Sequence, residues 1–133
     1  MPKTPKPTDA ELGVLRVLWT RGPSTVREVH DTMAASRSVA YTTTLKTLQV
    51  MTEKGLTVRE DHRGQHVYKP RHAEDETLTR LVTDLLDRAF GGSTSKLVVQ
   101  ALNTRRASPD ELREIRKLLA SKDSTTRKGK DHD

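Results

Sequence analysis

The apolar positions Leu12, Val14, Leu15, Leu18 and Trp19 recur at helical spacing directly behind Thr8-Asp9-Ala10-Glu11. In that box the threonine hydroxyl can accept the third backbone N–H while the glutamate reaches back to the cap. A helix is predicted from Thr8 to about Trp19, stopped by Gly22-Pro23. A second box, Thr25-Val26-Arg27-Glu28, predicts a short helix to about Ala34 with Val26, Val29 and Met33 facing inward. A third helix is predicted from near Ser38 to Gly55, a residue suited to a left-handed C-cap. At about 100° per residue, Tyr41, Leu45, Leu48, Met51 and Thr52 gather on one side, which is predicted core, and Thr42, Thr43, Lys46, Thr47, Val50 and Glu53 on the other.

That second side is unusual. A solvated helix face is ordinarily rich in long charged residues, whereas this one is short and hydroxyl-bearing through its leading turns. It also retains β-branched threonines at a cost of roughly a few tenths of a kcal/mol each in helix propensity. Its shape suits close approach to another surface. Two β-type runs follow, Leu56-Thr57-Val58-Arg59 and His66-Val67-Tyr68-Lys69, joined through Glu60 to Gln65 with Gly64 supplying the turn. Three helices and a two-stranded hairpin describe a winged helix-turn-helix, in which the third helix enters the major groove and the hairpin reaches the flanking backbone. Short hydroxyls there can approach base edges or phosphates, and a threonine methyl can meet a thymine methyl.

The remaining periodicity is helical. Asp75 to Phe90 carries Leu78, Leu81, Val82, Leu85, Leu86 and Phe90 on one stripe, Gly91-Gly92 breaks it, and Lys96 to Leu102 begins another helix. Ser108-Pro109-Asp110-Glu111 is a further capping box, opening a helix that bears Leu112, Ile115, Leu118 and Leu119. Stripes this size cannot easily be buried within one short chain. Mutual burial in a homodimer is one solution, and packing back on the winged domain is the other. From Ser121 the chain has no apolar residue and is expected to be disordered. The organisation expected is a flexible arm (1–7), a winged-helix DNA-binding domain (8–72), a helical dimerisation domain (73–120) and a disordered tail (121–133). The fold class is mainly α with a small β-hairpin.

Charge sharpens this picture. The chain has 24 Lys and Arg against 18 Asp and Glu, a net charge of +6. Residues 1–72 carry an excess of five and the remainder an excess of one, so the front half is the natural partner of a polyanion. No apolar run approaches the roughly 20 residues that span a bilayer. MPKTPKP has no apolar stretch behind its lysines, and cysteine is absent, so no membrane association and a cytoplasmic location are expected. His62 and His66 are four apart, but a turn lies between them and no further ligand completes a set, so neither metal nor cofactor is expected. The acidic residues are scattered over helix starts and turns and there is no glycine-rich phosphate loop, which argues against an enzyme.

The segments TDAELGVLRVLW, GPSTVREVHDTM, SVAYTTTLKTLQVMTEKGL and HRGQHVYKP together resemble the penicillinase and methicillin-resistance repressor family. The likeness is continuous over residues 8–70 and looser to about residue 120. It implies a dimeric winged-helix repressor of palindromic double-stranded operator DNA, with a helical dimerisation domain. Thr42, Thr43, Lys46 and Thr47 occupy the family's DNA-facing positions, with Thr43 and Lys46 expected at base edges. Arg27 and Ser38 are phosphate candidates, and Arg59, Arg63 and His66 are expected on the wing, with Arg63 at its tip. Leu78, Leu81, Leu85, Phe90, Leu112, Ile115 and Leu119 are expected to dimerise.

The resemblance also implies release by a regulatory protease or sensor acting through the C-terminal domain. The family's Asn-Phe cleavage site falls here at Gln100-Ala101, and neither residue matches. A thiolate copper switch, used by other members, is excluded by the lack of cysteine. The competing reading is a sequence-independent, nucleoid-type coat, which would bind any duplex nearly equally.

Overall fold

The computed structural model describes residues 4–131, with side chains over 4–124. Helix α1 (Asp9–Arg21) starts as its box dictates: the Thr8 hydroxyl accepts the Glu11 N–H and the Glu11 carboxylate accepts the Thr8 N–H at 2.9 Å. It runs two residues past Trp19 and ends at Gly22, whose φ of 90° breaks the helix. Helix α2 (Val26–Ala34) repeats the device with Thr25 and Glu28. The Thr25 N–H first, aided by Arg21, holds the Glu28 carboxyl below its usual range.

Helix α3 (Tyr41–Lys54) begins three residues later than predicted. Val39 packs against the core and Ala40 is extended, so Ser38 lies in the exposed α2–α3 connection and not at the helix start. Ala40 offers no capping side chain. The far end follows expectation: Gly55 is left-handed, and the Leu56 N–H returns to the Met51 carbonyl at 2.8 Å.

The hairpin strands, β2 (Thr57–His62) and β3 (Gln65–Pro70), are longer than predicted, because cross-strand pairing carries Glu60, Asp61 and His62 despite their weak β preference. Only Arg63 and Gly64 remain in the turn, both with positive φ (53° and 81°), as a two-residue primed turn requires. A short strand that local sequence pattern does not announce, β1 (Ser24–Thr25), pairs with β3 and gives the sheet order β1-β3-β2. Val14, Leu15 and Leu18 of α1, Val26, Val29 and Met33 of α2, Leu48 and Met51 of α3, Leu56 and Tyr68 form the core. This is a winged helix-turn-helix.

The inner face of α3 needs two corrections. Thr44 is buried, and its hydroxyl lies 3.3 Å from His30 Nδ1, tying α3 to α2. Tyr41, predicted core, is 36% exposed: as the first helical residue it lies at the edge of the three-helix packing, where its ring meets side chains of α2 instead.

Glu11 does more than cap. Its side chain is almost fully buried, and Lys54 Nζ reaches both carboxylate oxygens at 2.8 Å, joining the start of α1 to the end of α3. Burial pushes the Glu11 carboxyl up, but the Lys54 hydrogen bond, the Thr8 N–H and the Lys54 charge together hold it below its ordinary value. A lowered folded-state pKa contributes stability above the unfolded value of 4.5 that disappears as pH falls through the folded one. Lys54→Ala strands a buried carboxylate and is expected to cost about 2 kcal/mol at neutral pH. Urea titrations at pH 7 and at successively lower pH check this: the penalty is expected to shrink as the carboxyl becomes protonated.

Helix α4 (Glu74–Ala89) follows, and the chain divides into two compact units inside it, one ending at Leu85 and the other beginning at Leu86. The first part of α4 thus packs with the winged unit, beyond the boundary read at residue 72: Thr77 is buried and Lys6 Nζ lies 2.6 Å from Asp84. That ion pair, with Pro7 buried, anchors the described end of the expected flexible arm, whose residues 1–3 lie outside the described residues.

The second unit contains α5 (Thr94–Thr104), capped by Ser93, and α6 (Pro109–Asp131), opened by the Ser108–Glu111 box. α6 continues through most of the segment expected to be disordered. The absence of apolar residues from Ser121 removes packing but does not stop a helix, and no glycine or proline occurs before Gly129. Residues 132–133 of that expected tail lie outside the described residues. Among the described residues no helix is long and apolar enough to cross a membrane.

Candidate nucleic-acid interface

The α2–turn–α3 pair presents the face opposite the core. Thr42, Thr43 and Lys46 are exposed and Thr47 is half-exposed, all on the leading turns of α3. Lys46 makes no ion pair among the described residues. The Thr47 hydroxyl donates to the Thr43 carbonyl at 2.8 Å, which engages its proton within the helix. Ala40 gives α3 no side-chain cap, and the Thr43 N–H bonds the Ala40 carbonyl at 3.1 Å, so the Tyr41 and Thr42 N–H groups are the ones left for an external acceptor, a disposition that favours anions.

The wing adds a second surface. Directly opposed residues of β2 and β3 share a face, so Arg59 lies on the same side as buried Tyr68, and Asp61 on the same side as His66. Lys46, Gln49 and Glu53 of α3 line a groove with Arg59 and Arg71, in which three cations meet one carboxylate. Sequence pattern brings forward Lys46 and Arg59 separately and misses Arg71. Arg71 follows the last strand residue, and only the folded sheet brings its guanidinium beside Gly55.

Other wing residues are less free than the sequence suggests. His66 Nδ1 is hydrogen-bonded to Asp61, and Lys69 is paired with Glu60 at 3.2 Å, so both already have acidic neighbours. Arg63 is exposed at the turn, with its left-handed backbone fixed by the hairpin. On α2, Arg27 is exposed, sits 3.8 Å from Asp31 and lies over the Tyr41 ring. Ser38 is exposed in the connection. Among the described residues no group of three or more His, Cys, Asp or Glu is placed to hold a metal ion.

The expected dimerisation residues divide by exposure. Leu78, Leu85 and Leu119 are exposed, while Leu81, Phe90, Leu112 and Ile115 are half-buried. Leu78, Val82 and Leu85 form one uncovered stripe along α4, and Val98, Val99 and Leu102 another on α5.

Known proteins are similar to this chain in sequence and in architecture. The penicillinase repressor family model matches residues 7–121. The Mycobacterium tuberculosis transcriptional regulator BlaI is 35% identical over 122 residues, covering 90% of this chain and 87% of that protein. The Bacillus licheniformis penicillinase repressor is 24% identical over 119 residues, covering 90% and 93%. The solution structure of the Bacillus licheniformis BlaI monomeric form in complex with the blaP half-operator matches with a TM-score of 0.51 and 26% identity, over 57% of this chain and 93% of that one.

Proposed function

The chain belongs to the penicillinase repressor family, and from that premise we propose that it is a dimeric, sequence-specific repressor of double-stranded operator DNA. The observation that carries the reading is the exposed, short-side-chain face of α3, with Thr43 and Lys46 on it and a cationic groove beside it. α3 enters the major groove, where Thr43 and Lys46 meet base edges and Thr42 and Thr47 lie nearer the backbone. Arg27 and Ser38 take phosphates on one flank, and Arg59, Arg63 and His66 serve the wing. The relative whose solved structure holds a half-operator supports this assignment.

Residues 8–72 carry the DNA-binding elements and residues 73–120 the dimer contact, through Leu78, Leu81, Leu85, Phe90, Leu112, Ile115 and Leu119. The uncovered stripes on α4 and α5 favour that pairing. Two winged domains related by a twofold axis read an inverted repeat, and a dimer seated across a promoter excludes polymerase. Its place of action is the cytoplasm. Release acts through the C-terminal helices, by a protease or sensor. Gln100 and Ala101 are exposed but lie inside α5, so cleavage between them requires local unwinding first.

Fluorescence anisotropy with an operator duplex and a shuffled duplex, over a range of salt, tests the reading. The operator is expected to bind at least about 1,000-fold more tightly near physiological salt. Equal affinities would favour a nucleoid-type coat. Arg63→Ala, at the exposed turn, is expected to weaken both duplexes alike and lower the salt slope by about 1.

A further inference from the structure

Arg27 and Tyr41 belong to different helices and neither is covered by the core. Arg27, near the start of α2, exposes 66% of its side chain, and Tyr41 is the first residue of α3. The Arg27 guanidinium lies over the Tyr41 ring, 4.6 Å from its centroid. His30, one turn further along α2, meets the same ring in a T-shaped arrangement at 5.4 Å with an interplanar angle of 75°. His30 is itself fixed, since its Nδ1 is 3.3 Å from the buried Thr44 hydroxyl. A chain of contacts therefore runs from the core through Thr44 and His30 to Tyr41, and from Tyr41 to a guanidinium at the surface.

The only charged partner of Arg27 among the described residues is Asp31, at 3.8 Å on the same helix and 65% exposed. An exposed pair of that length does little to hold a flexible arginine in one orientation. A ring face does more: a stacked guanidinium keeps its edge N–H groups directed outward, in the planar fork that matches phosphate oxygens.

We propose that Tyr41 is a positioning residue that holds Arg27 as a preorganised clamp for one backbone phosphate at the edge of the groove entered by α3. The inference rests on the repressor reading and adds to it the role of a side chain that helical periodicity assigns to the core. Tyr41 acts through its ring, not its hydroxyl, and makes the contact of Arg27 with DNA less costly in side-chain entropy.

The test is a double-mutant cycle on the full-length protein, read by anisotropy against duplexes of about 30 base pairs, enough for two half-sites one turn apart. One duplex carries the sequence that the protein itself enriches from genomic DNA and the other is of arbitrary sequence. Arg27→Ala is expected to weaken binding to both roughly tenfold and to lower the salt slope by about 1. Tyr41→Ala is expected to reproduce most of both effects although Arg27 is intact. The double variant is expected to be no weaker than Arg27→Ala alone, and Tyr41→Phe to bind as the parent does. Thermal melting accompanies each variant; if Tyr41→Ala melts below the assay temperature, Tyr41→Leu, bulky but without a ring face, takes its place.

Affinity defects that multiply in the double variant, or an unchanged salt slope in Tyr41→Ala, would overturn the clamp. A Tyr41→Phe defect equal to that of Tyr41→Ala would overturn it too, by assigning the effect to the hydroxyl. A parent protein that binds neither duplex would overturn the repressor reading, and the clamp with it, whereas parental binding with independent defects overturns the clamp alone.

Discussion

Leu85→Asp is expected to convert the protein to monomers and to weaken its binding to an inverted-repeat operator by at least about 100-fold. Leu85 is 46% exposed and continues the stripe of Leu78 and Val82 on α4. In a monomer an aspartate there remains in water, so its cost to the folded chain is small. In a dimer that covers the stripe, the same carboxylate must be desolvated, which is far more costly. The weaker operator binding follows from geometry. Once the dimer separates, the second winged domain no longer arrives at the high local concentration set by the first. Light scattering checks the mass and anisotropy checks the affinity. An intact dimer in Leu85→Asp would place the contact elsewhere, and a monomeric variant with undiminished operator affinity would show that pairing does not drive recognition.

The other large effect belongs to α3. Lys46→Ala is expected to lower the preference for operator over unrelated DNA by about 1–3 kcal/mol, roughly tenfold or more. Thr43→Ala is expected to do the same at a neighbouring base pair. Both side chains are exposed on the leading turns of the helix, and Lys46 is not held in an ion pair among the described residues, so neither variant disturbs the core. The signature that separates them from Arg63→Ala is selectivity. Truncating a side chain that reads a base changes the ratio between sequences, whereas truncating one that holds a phosphate weakens all duplexes together. Unchanged selectivity in Lys46→Ala would remove α3 from the major groove as oriented here.

Much of the fold is legible because local chemistry and global packing agree. The capping boxes at Thr8, Thr25 and Ser108 each find their predicted partner, and Gly55 is left-handed where the helix must stop. The departures have physical causes too. β1 is two residues long and exists only because β3 passes beside it, a long-range pairing invisible to local pattern. Ser38 resembles a helix start, but Val39 packs half-buried against the core and Ala40 is still extended, so the helix begins at Tyr41. The end of α6 passes the predicted point because the absence of apolar residues signals an end to burial and not a broken helix.

The interface is partly legible for the same reasons. Periodicity separates Thr42, Thr43, Lys46 and Thr47 from the core because the spacing along a helix is regular, and all four stay uncovered or half-covered. It misassigns Tyr41 because the first residue of a helix lies at the edge of the helix packing, where its ring meets side chains of α2 and not the core. Thr44, the last of the three successive threonines, illustrates the converse. It sits one turn before Leu48 on the inner face, buried and 3.3 Å from half-buried His30, so only its two predecessors are exposed. Arg71 and Arg59 are separated in sequence, and their shared groove with Lys46 appears only once the sheet is formed.

The central claim, a dimeric repressor that reads DNA sequence, is tested most directly by incubating the purified protein with fragmented genomic DNA at near-physiological salt and sequencing what it retains. Enrichment of a few inverted repeats close to promoters is predicted, with half-sites about one helical turn apart, or a multiple of that. Even recovery across the genome, with no motif, would contradict it.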